Sequence, residues 1–293
     1  MSQRIMNRQP TPEGVGAGQT ATHKLPLGPT YHAIFFRLSV KVDGVDVNPA
    51  AEDMHNFIER VTLKVDGKAT YAAPTEILVK NNAYYGNQMR AGVLPLYLDL
   101  PFARTTLGED FGSYATGAGM SSFTIDVKMK SGIVINFLEI TTEESFPVMG
   151  EGVNAFGWHL ELMEFSESFG AAGEQDIGFI PLDPYHIVHL AFDSPSIGDV
   201  EVKANNTSIH VSDKEIREQM QYDSGRVKQA GMTHIDFVQK NRIVLLRNTP
   251  NGAVFNPEAP SMNLKSFRPK IQWTTAPNAF KAYVLCLKPA DQI

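Results

Sequence analysis

An internal repeat constrains this chain more than any other feature, because two copies of one pattern call for two copies of one fold. Residues 25–32 read Leu-Pro-Leu-Gly-Pro-Thr-Tyr-His, and residues 180–186 read Ile-Pro-Leu-Asp-Pro-Tyr-His, the same phrase with one residue deleted. Each copy then runs into a β-rich segment. Downstream the match holds at a constant offset of 139. Val61 and Lys64 fall on Val200 and Lys203, and Glu76 and Ile77 on Glu215 and Ile216. Gly86, Ala91 and Gly92 fall on Gly225, Ala230 and Gly231. Seven identities over 61–92 compare with about two expected from average residue frequencies. The plain alternative is two similar hairpins meeting by accident in a β-rich chain. Against it, the proline phrase and the offset are independent signals in the same order.

The local chemistry follows the repeat. Asp66-Gly67 and Asn205-Asn206 stand at equivalent places between short strand-like runs, and both pairs tolerate the positive φ of a two-residue hairpin turn. Each copy then has a polar start, Pro74-Thr75-Glu76 or Ser212-Asp213, and a helix-like segment ending near Gly86 or Gly225. Ser212 with Glu215 three residues on has the pattern of a capping box. Elsewhere, branched apolar and polar residues alternate with the period of half-buried strands, as in 60–65, 93–99, 122–130, 133–141, 158–165, 234–238, 242–247, 265–275 and 279–288.

Short strands between Gly, Pro and Asn turns, with one convincing helix per copy, predict an all-β chain. The expected architecture is two tandem eight-stranded jelly rolls, a double jelly roll, each with a short helix. Residues 1–22 carry no apolar periodicity and are expected as a flexible arm. The first jelly roll is expected over 23–168 and the second over 169–293, with 166–176 as the linker. The stretches 107–120, 143–157 and 249–260 are turn-rich and expected as surface loops.

Composition excludes several functions. Hydrophobic residues make up 43% and charged residues 20%, ordinary values for a globular protein. A formal net charge of −6 argues against a dedicated nucleic-acid binder, which needs a basic surface to meet phosphates. The single cysteine, Cys286, can form neither an intrachain disulfide nor a multi-cysteine zinc site. In Tyr-Val-Leu-Cys-Leu it reads as a small buried hydrophobe, consistent with assembly in a reducing cytoplasm. No stretch approaches the roughly 20 apolar residues of a membrane span. The N-terminal Met-Ser-Gln-Arg-Ile-Met-Asn-Arg lacks the apolar core of a signal peptide, so neither secretion by that route nor membrane insertion is expected.

These residues carry a family resemblance. The Gly-rich N-terminal segment running into His23-Lys-Leu-Pro-Leu-Gly-Pro-Thr-Tyr31, then Arg60-Val-Thr-Leu-Lys-Val-Asp-Gly67 and Met89-Arg-Ala-Gly-Val93, resembles the corticovirus major capsid protein. That protein belongs to the double jelly-roll lineage of tectivirus coat proteins and adenovirus hexon. Ile180-Pro-Leu-Asp-Pro-Tyr185 and the helix segment 216–222 follow in matching order; the likeness is weak over 100–160 and 249–265. It implies a structural, non-enzymatic coat protein of an icosahedral, internal-membrane-containing bacteriophage. It also implies homotrimers with a six-cornered outline, contacts with neighbouring capsomers, with minor capsid, penton and membrane proteins, and with lipid on the inner face. The rival readings are a double jelly-roll hydrolase, which should show convergent carboxylates, and a glycan-binding virion module.

Candidates for other chemistry are sparse. His32 and His186 stand as equivalents in the repeat, which fits a structural position better than a metal site. His186 and His189, three apart, would lie on opposite faces of a strand. Glu109-Asp110, Glu143-Glu144 and Asp43 with Asp46 are oxygen-rich enough to consider for structural Ca2+, but none has the spacing of a dedicated calcium loop. Gly14-Val-Gly-Ala-Gly18 lacks the lysine and helix of a phosphate loop. Arg4 and Arg8 could face lipid or genome, although a plain arm is the simpler expectation. No catalytic, cofactor or metal residue is therefore assigned. Pro26 and Pro181 are expected to start equivalent strands, and removal of the first 20 residues is expected to leave the trimer intact.

Overall fold

The computed structural model describes residues 4–99, 112–146, 156–178, 180, 186–204, 207–238 and 267–290. The chain divides into two compact units between Glu161 and Leu162. The first contains β1 (Arg4–Arg8), β2 (Thr20–Leu25), β3 (Thr30–Val42), β4 (Val45–Val47), β5 (Ile58–Val65) and β6 (Lys68–Pro74). Helix α1 (Thr75–Tyr84) follows, then β7 (Val93–Tyr97), β8 (Tyr114–Ala115), β9 (Phe123–Met129) and β10 (Val134–Ser145). β11 (Trp158–Glu167) straddles the division. The second unit continues with β12 (Gly173–Asp176), β13 (His186–Phe192), β14 (Ile197–Ala204) and β15 (Thr207–Ser212). Helix α2 (Lys214–Asp223), β16 (Thr233–Asp236), β17 (Phe267–Trp273) and β18 (Phe280–Pro289) complete it.

Both units solve the same topological problem in the same way. In the first, one sheet runs β1-β10-β3-β7, with β4 and β8 also on β3, and the other runs β6-β5-β9-β2. In the second, the equivalents are β11-β18-β13-β16 and β15-β14-β17-β12. Each contains the eight strands of a jelly roll, to which the first unit adds β4 and β8, so the chain is a double jelly roll. The cores follow from period-two alternation. Along β9, Phe123, Ile125, Val127 and Met129 are buried, and along β17 so are Phe267, Pro269, Ile271 and Trp273. Trp273 packs on Phe280 at 4.8 Å between ring centroids, and Tyr31 on Phe123 at 5.4 Å.

The duplication reaches the level of single hydrogen-bonded pairs. β5 and β14 start and stop 139 residues apart, as do α1 and α2. Val61 faces Ala73 and Val200 faces Ser212; Val65 faces Lys68 and Ala204 faces Thr207. Even the irregularity is copied, between Leu63 and Lys64 in one ladder and between Val202 and Lys203 in the other. The helices are tethered alike. Asn82 Nδ2 donates to the Pro95 carbonyl at 2.8 Å, and Gln221 Nε2 to the His234 carbonyl at 2.7 Å. The Asp66-Gly67 turn has φ of 50° and 82°, the left-handed pair that this hairpin needs.

Four expectations require correction. The stretch 1–22 is no free arm: β1 pairs with β10 from Arg4↔Ser145 to Arg8↔Thr141, and β2 opens the other sheet against β9. β1 is the first strand of the first jelly roll, and its charged sequence hid it because, among the described residues, only one of its edges is paired. The 166–176 linker contains the end of β11 and all of β12. β11 lies beside β18 as the first strand of the second jelly roll, so a boundary at 168/169 cuts that domain's opening strand away. The cap of α2 is Asp213, whose Oδ1 accepts from Ile216 N at 2.7 Å, while Ser212 ends β15.

The fourth correction concerns the histidines. His32 is the bulged residue of β3, skipped between Ala33↔Glu143 and Tyr31↔Glu144. In the second unit the bulged residue is Val188, between Ile187↔Cys286 and His189↔Leu285. The carbonyls of His32 and Val188 accept from Leu98 N and Phe237 N, residues 139 apart. His32 therefore corresponds to Val188, and the proline phrases align the two copies two residues out of register. Pro181, Asn205-Asn206 and the segments 242–247 and 249–260 lie outside the described residues.

Gly92 and Gly231 share a φ of 73°, but a Cβ on Gly92 would lie 3.0 Å from both Leu38 O and Asn48 Cβ, whereas one on Gly231 meets nothing within 4 Å. Gly231→Ala is expected to cost about 1 kcal/mol through backbone strain alone, and Gly92→Ala at least about twice that because packing adds to it. Equal losses in denaturant titrations of the two variants would refute the steric contribution.

Candidate functional site

The chemistry-bearing side chains of the first unit are gathered along the β1–β10–β3 ladder. Arg4 on β1 reaches Asp99 Oδ2 at 3.2 Å and Glu143 Oε1 at 3.3 Å. Burial raises the Asp99 carboxyl to about 6, with Arg4 opposing the shift. On the other face of the strand, Gln9 Nε2 donates to Thr142 Oγ1 at 2.8 Å and to Glu144 Oε1 at 3.0 Å, and Thr142 Oγ1 also donates to Glu144. Glu143 and Glu144 thus point apart, each held by protein donors, and do not share an ion site. His32 is enclosed, with Nδ1 3.2 Å from Ser113 Oγ and Nε2 2.7 Å from Ser145 Oγ.

Asp43 and Asp46 flank the β3–β4 hairpin. Asp46 pairs with Lys41 at 3.7 Å and accepts from Asn136 Nδ2 at 3.1 Å, while Asp43 occupies the left-handed turn position at φ 51°. Glu109-Asp110 lies outside the described residues. Among the described residues, no three His, Cys, Asp or Glu side chains are grouped so that they could hold a metal ion. Cys286 is buried in the core of the second jelly roll.

The second unit has a buried network that sequence spacing did not disclose. His189 on β13 places Nε2 2.9 Å from Nδ1 of His234 on β16, and the two rings stack at 4.9 Å. Beside them, Arg226 Nε donates to Asp236 Oδ2 at 2.8 Å with both side chains almost fully buried. Asp236 Oδ1 accepts from Val238 N at 2.8 Å. Burial, and secondarily the Arg226 charge, lowers His189 to about 3. His189 is therefore held neutral, and its contact with His234 works as a structural clasp between neighbouring strands. His234 and Asp236 alternate with apolar positions in a short strand-like run, and only cross-strand pairing brings His189 to them.

A different kind of feature lies on β15 and α2. Ile209 and Val211 on β15 and Ile216, Met220 and Tyr222 on α2 are exposed.

Two equivalent jelly rolls whose polar groups serve as internal fasteners make the architecture of a viral double jelly-roll coat protein. Comparison with known families agrees. The model described as "Viral coat protein P2 N-terminal domain" matches residues 6–144, and "Viral coat protein P2 C-terminal domain" matches residues 160–289. The chain belongs to the viral coat protein P2 family. No curated protein sequence matches it. Among solved structures, the major capsid protein P2 from bacteriophage PM2 has a TM-score of 0.79 at 17% identity, covering 98% of each chain. The STIV MCP has a TM-score of 0.64 at 14% identity, covering 99% of each. The PBCV-1 virus capsid has 0.61 at 9%, covering 98% of this chain and 94% of that one. At these identities the structures establish the shared fold. The family makes the chain a viral coat protein, a structural component of the virion and not an enzyme.

Two expected outcomes follow from the buried networks. A chain lacking residues 1–9 leaves Glu144 buried without its Gln9 donor and exposes the edge of β10. It is expected to lose about 3 kcal/mol or more, read as a lower unfolding midpoint; an unchanged midpoint would contradict the role of β1. His189, neutral when folded, contributes stability that is complete above the unfolded value of 6.5 and is lost as pH falls toward about 3. That loss amounts to up to about 1.4 kcal/mol per pH unit. Asp99, raised when folded, acts with the opposite sign as pH falls below about 6. Comparing wild type with His189→Gln between pH 7 and 4 isolates the histidine: the variant's stability should fall less steeply. Parallel slopes would rule the clasp out as a source of acid sensitivity.

Proposed function

We propose that this chain is the major capsid protein of an icosahedral bacteriophage that carries an internal lipid membrane, and that it acts as a homotrimer. The observation carrying the reading is the shared register of the two jelly rolls. Three copies of a chain with two equivalent domains present six similar domains around a threefold axis, so a trimer can tile a shell with a nearly hexagonal outline. Closed cyclic assembly is the ordinary way for identical chains to satisfy one interface. The PM2 protein with which this chain shares its fold is a bacteriophage major capsid protein, which supports a bacterial host and assembly in its cytoplasm. In the shell, the partners are neighbouring trimers, minor and penton proteins at the vertices, and the membrane with its proteins on the inner face. The net charge of −6 fits a shell that does not itself grip the genome.

The test is the mass of the purified full chain by size-exclusion chromatography with light scattering. A single species at three times 32.3 kDa is expected at micromolar concentration. A monomer at all concentrations would overturn the homotrimer.

A further inference from the structure

The sheet that carries β5 in one repeat and β14 in the other keeps its inner face and inverts the charge of its outer one. Pairing fixes the equivalence. Val61↔Val127 and Val65↔Phe123 of the first copy stand where Val200↔Ile271 and Ala204↔Phe267 stand in the second. All of these side chains are apolar and buried. The residues between them point to the opposite face. There Arg60, Thr62 and Asp126 of the first copy become Asp199, Glu201 and Lys270 of the second. On the adjoining strand Thr20 and Thr22, facing Lys128 and Asp126, become Glu174 and Asp176, facing Gln272 and Lys270.

The two outer faces are therefore built on opposite plans. In the first, a carboxylate sits among cations: Asp126 pairs with Lys64 and accepts from Thr22 Oγ1 at 2.8 Å. Lys24, Arg60 and Lys128 lie on the strands around it, with Glu59 as a further acid at the start of β5. In the second, a cation sits among carboxylates. Lys270 pairs with Glu174, and Glu174, Glu201 and Asp176 together push its ammonium up from the ordinary value. Glu174, Asp199, Glu201 and Lys270 line one shallow groove, while Lys203 and Arg268 stay basic at the far end of the ladder. Water asks only that such positions be polar, so exposure alone does not account for an inversion centred on one equivalent position.

We propose that the outer face of the β6-β5-β9-β2 sheet of one trimer docks on the outer face of the β15-β14-β17-β12 sheet of a neighbouring trimer, the cations around Asp126 meeting the carboxylates around Lys270. The inference rests on the homotrimer proposed above and assigns a contact between trimers. A shell of closed trimers needs a second kind of interface, and one that joins two different surfaces repeats from tile to tile without closing on itself. The occupant is another copy because every chain carries both patterns. Complementary potentials steer the approach of two such faces and fix their register. Exposed ion pairs contribute little singly and are screened by salt, so the contact gains its strength from repetition over the shell.

The experiment uses the full chain and two exchange variants, each giving one face the residues that the other copy has at the same positions. Arg60→Asp with Thr62→Glu makes the first face acidic, and Asp199→Arg with Glu201→Thr makes the second basic. Lys41→Asp with Val45→Glu, at exposed positions of the β3–β4 hairpin, shifts net charge as much as the first exchange and is the control. Light scattering of concentrated protein is read at about 20 mM and about 500 mM salt. Wild type and control should associate beyond the trimer at low salt and not at high salt. Each exchange alone should weaken that association by about tenfold or more, and an equal mixture of the two should restore it. Trimer mass and unfolding midpoint should remain those of wild type. Wild-type trimers that do not associate at low salt, or an exchange that leaves association unchanged, would overturn the contact. A folded exchange variant that no longer trimerises would place these faces within the trimer, overturning it as well. If wild type is monomeric yet shows the same salt-sensitive, exchange-sensitive association, the homotrimer alone is overturned. Should an exchange fail to fold, Lys24→Glu and Asp176→Lys, single exposed positions on the two faces, are read by the same criteria.

Discussion

Everything in this molecule depends on the register of antiparallel strands in sheets whose inner faces are buried. Side chains alternate along a strand, so a slip of one residue would turn Phe123, Ile125, Val127 and Met129 to solvent together, along with their partners on β5. The pairing is therefore held by the summed burial of many residues rather than by any single bond. That explains why the ladder survives duplication so faithfully. The hairpin β5–β6 and its copy β14–β15 share their turn length, their pairs and the site of their irregularity, while few of their side chains remain identical.

What changed between the copies is the surface around that ladder. In the first jelly roll the connection from β3 to β5 is long enough to lay a short helix over α1, and Tyr114 closes over β6. In the second jelly roll the same connection is four residues, and α2 is more exposed and more polar than α1, with Arg217 and Glu218 where α1 has Leu78 and Val79. The polar interior diverged as well. The first copy stabilises its β1–β10–β3 ladder with Arg4, Gln9, Glu143 and Glu144, whereas the second clasps β13 to β16 with His189, His234, Arg226 and Asp236. The Gln9–Thr142–Glu144 group and the Arg226–Asp236 pair are buried, so each constrains strand pairing tightly and is sensitive to loss of a member.

The sequence by itself determined the tandem repeat, the β character of both halves, the Asp66-Gly67 turn, the helix after the fifth core strand, and the coat-protein resemblance. All of these are written in local periodicity or in residues at fixed spacing. Only the tertiary structure decided that Arg4–Arg8 is a strand, that β11 opens the second jelly roll, that His32 corresponds to Val188, and that Ile216 is exposed where Ile77 is buried. The physical reason is common to all four. A strand with one paired edge, a bulge and a bare helix face are each defined by partners far away in the chain, and local composition carries no record of which partner is present.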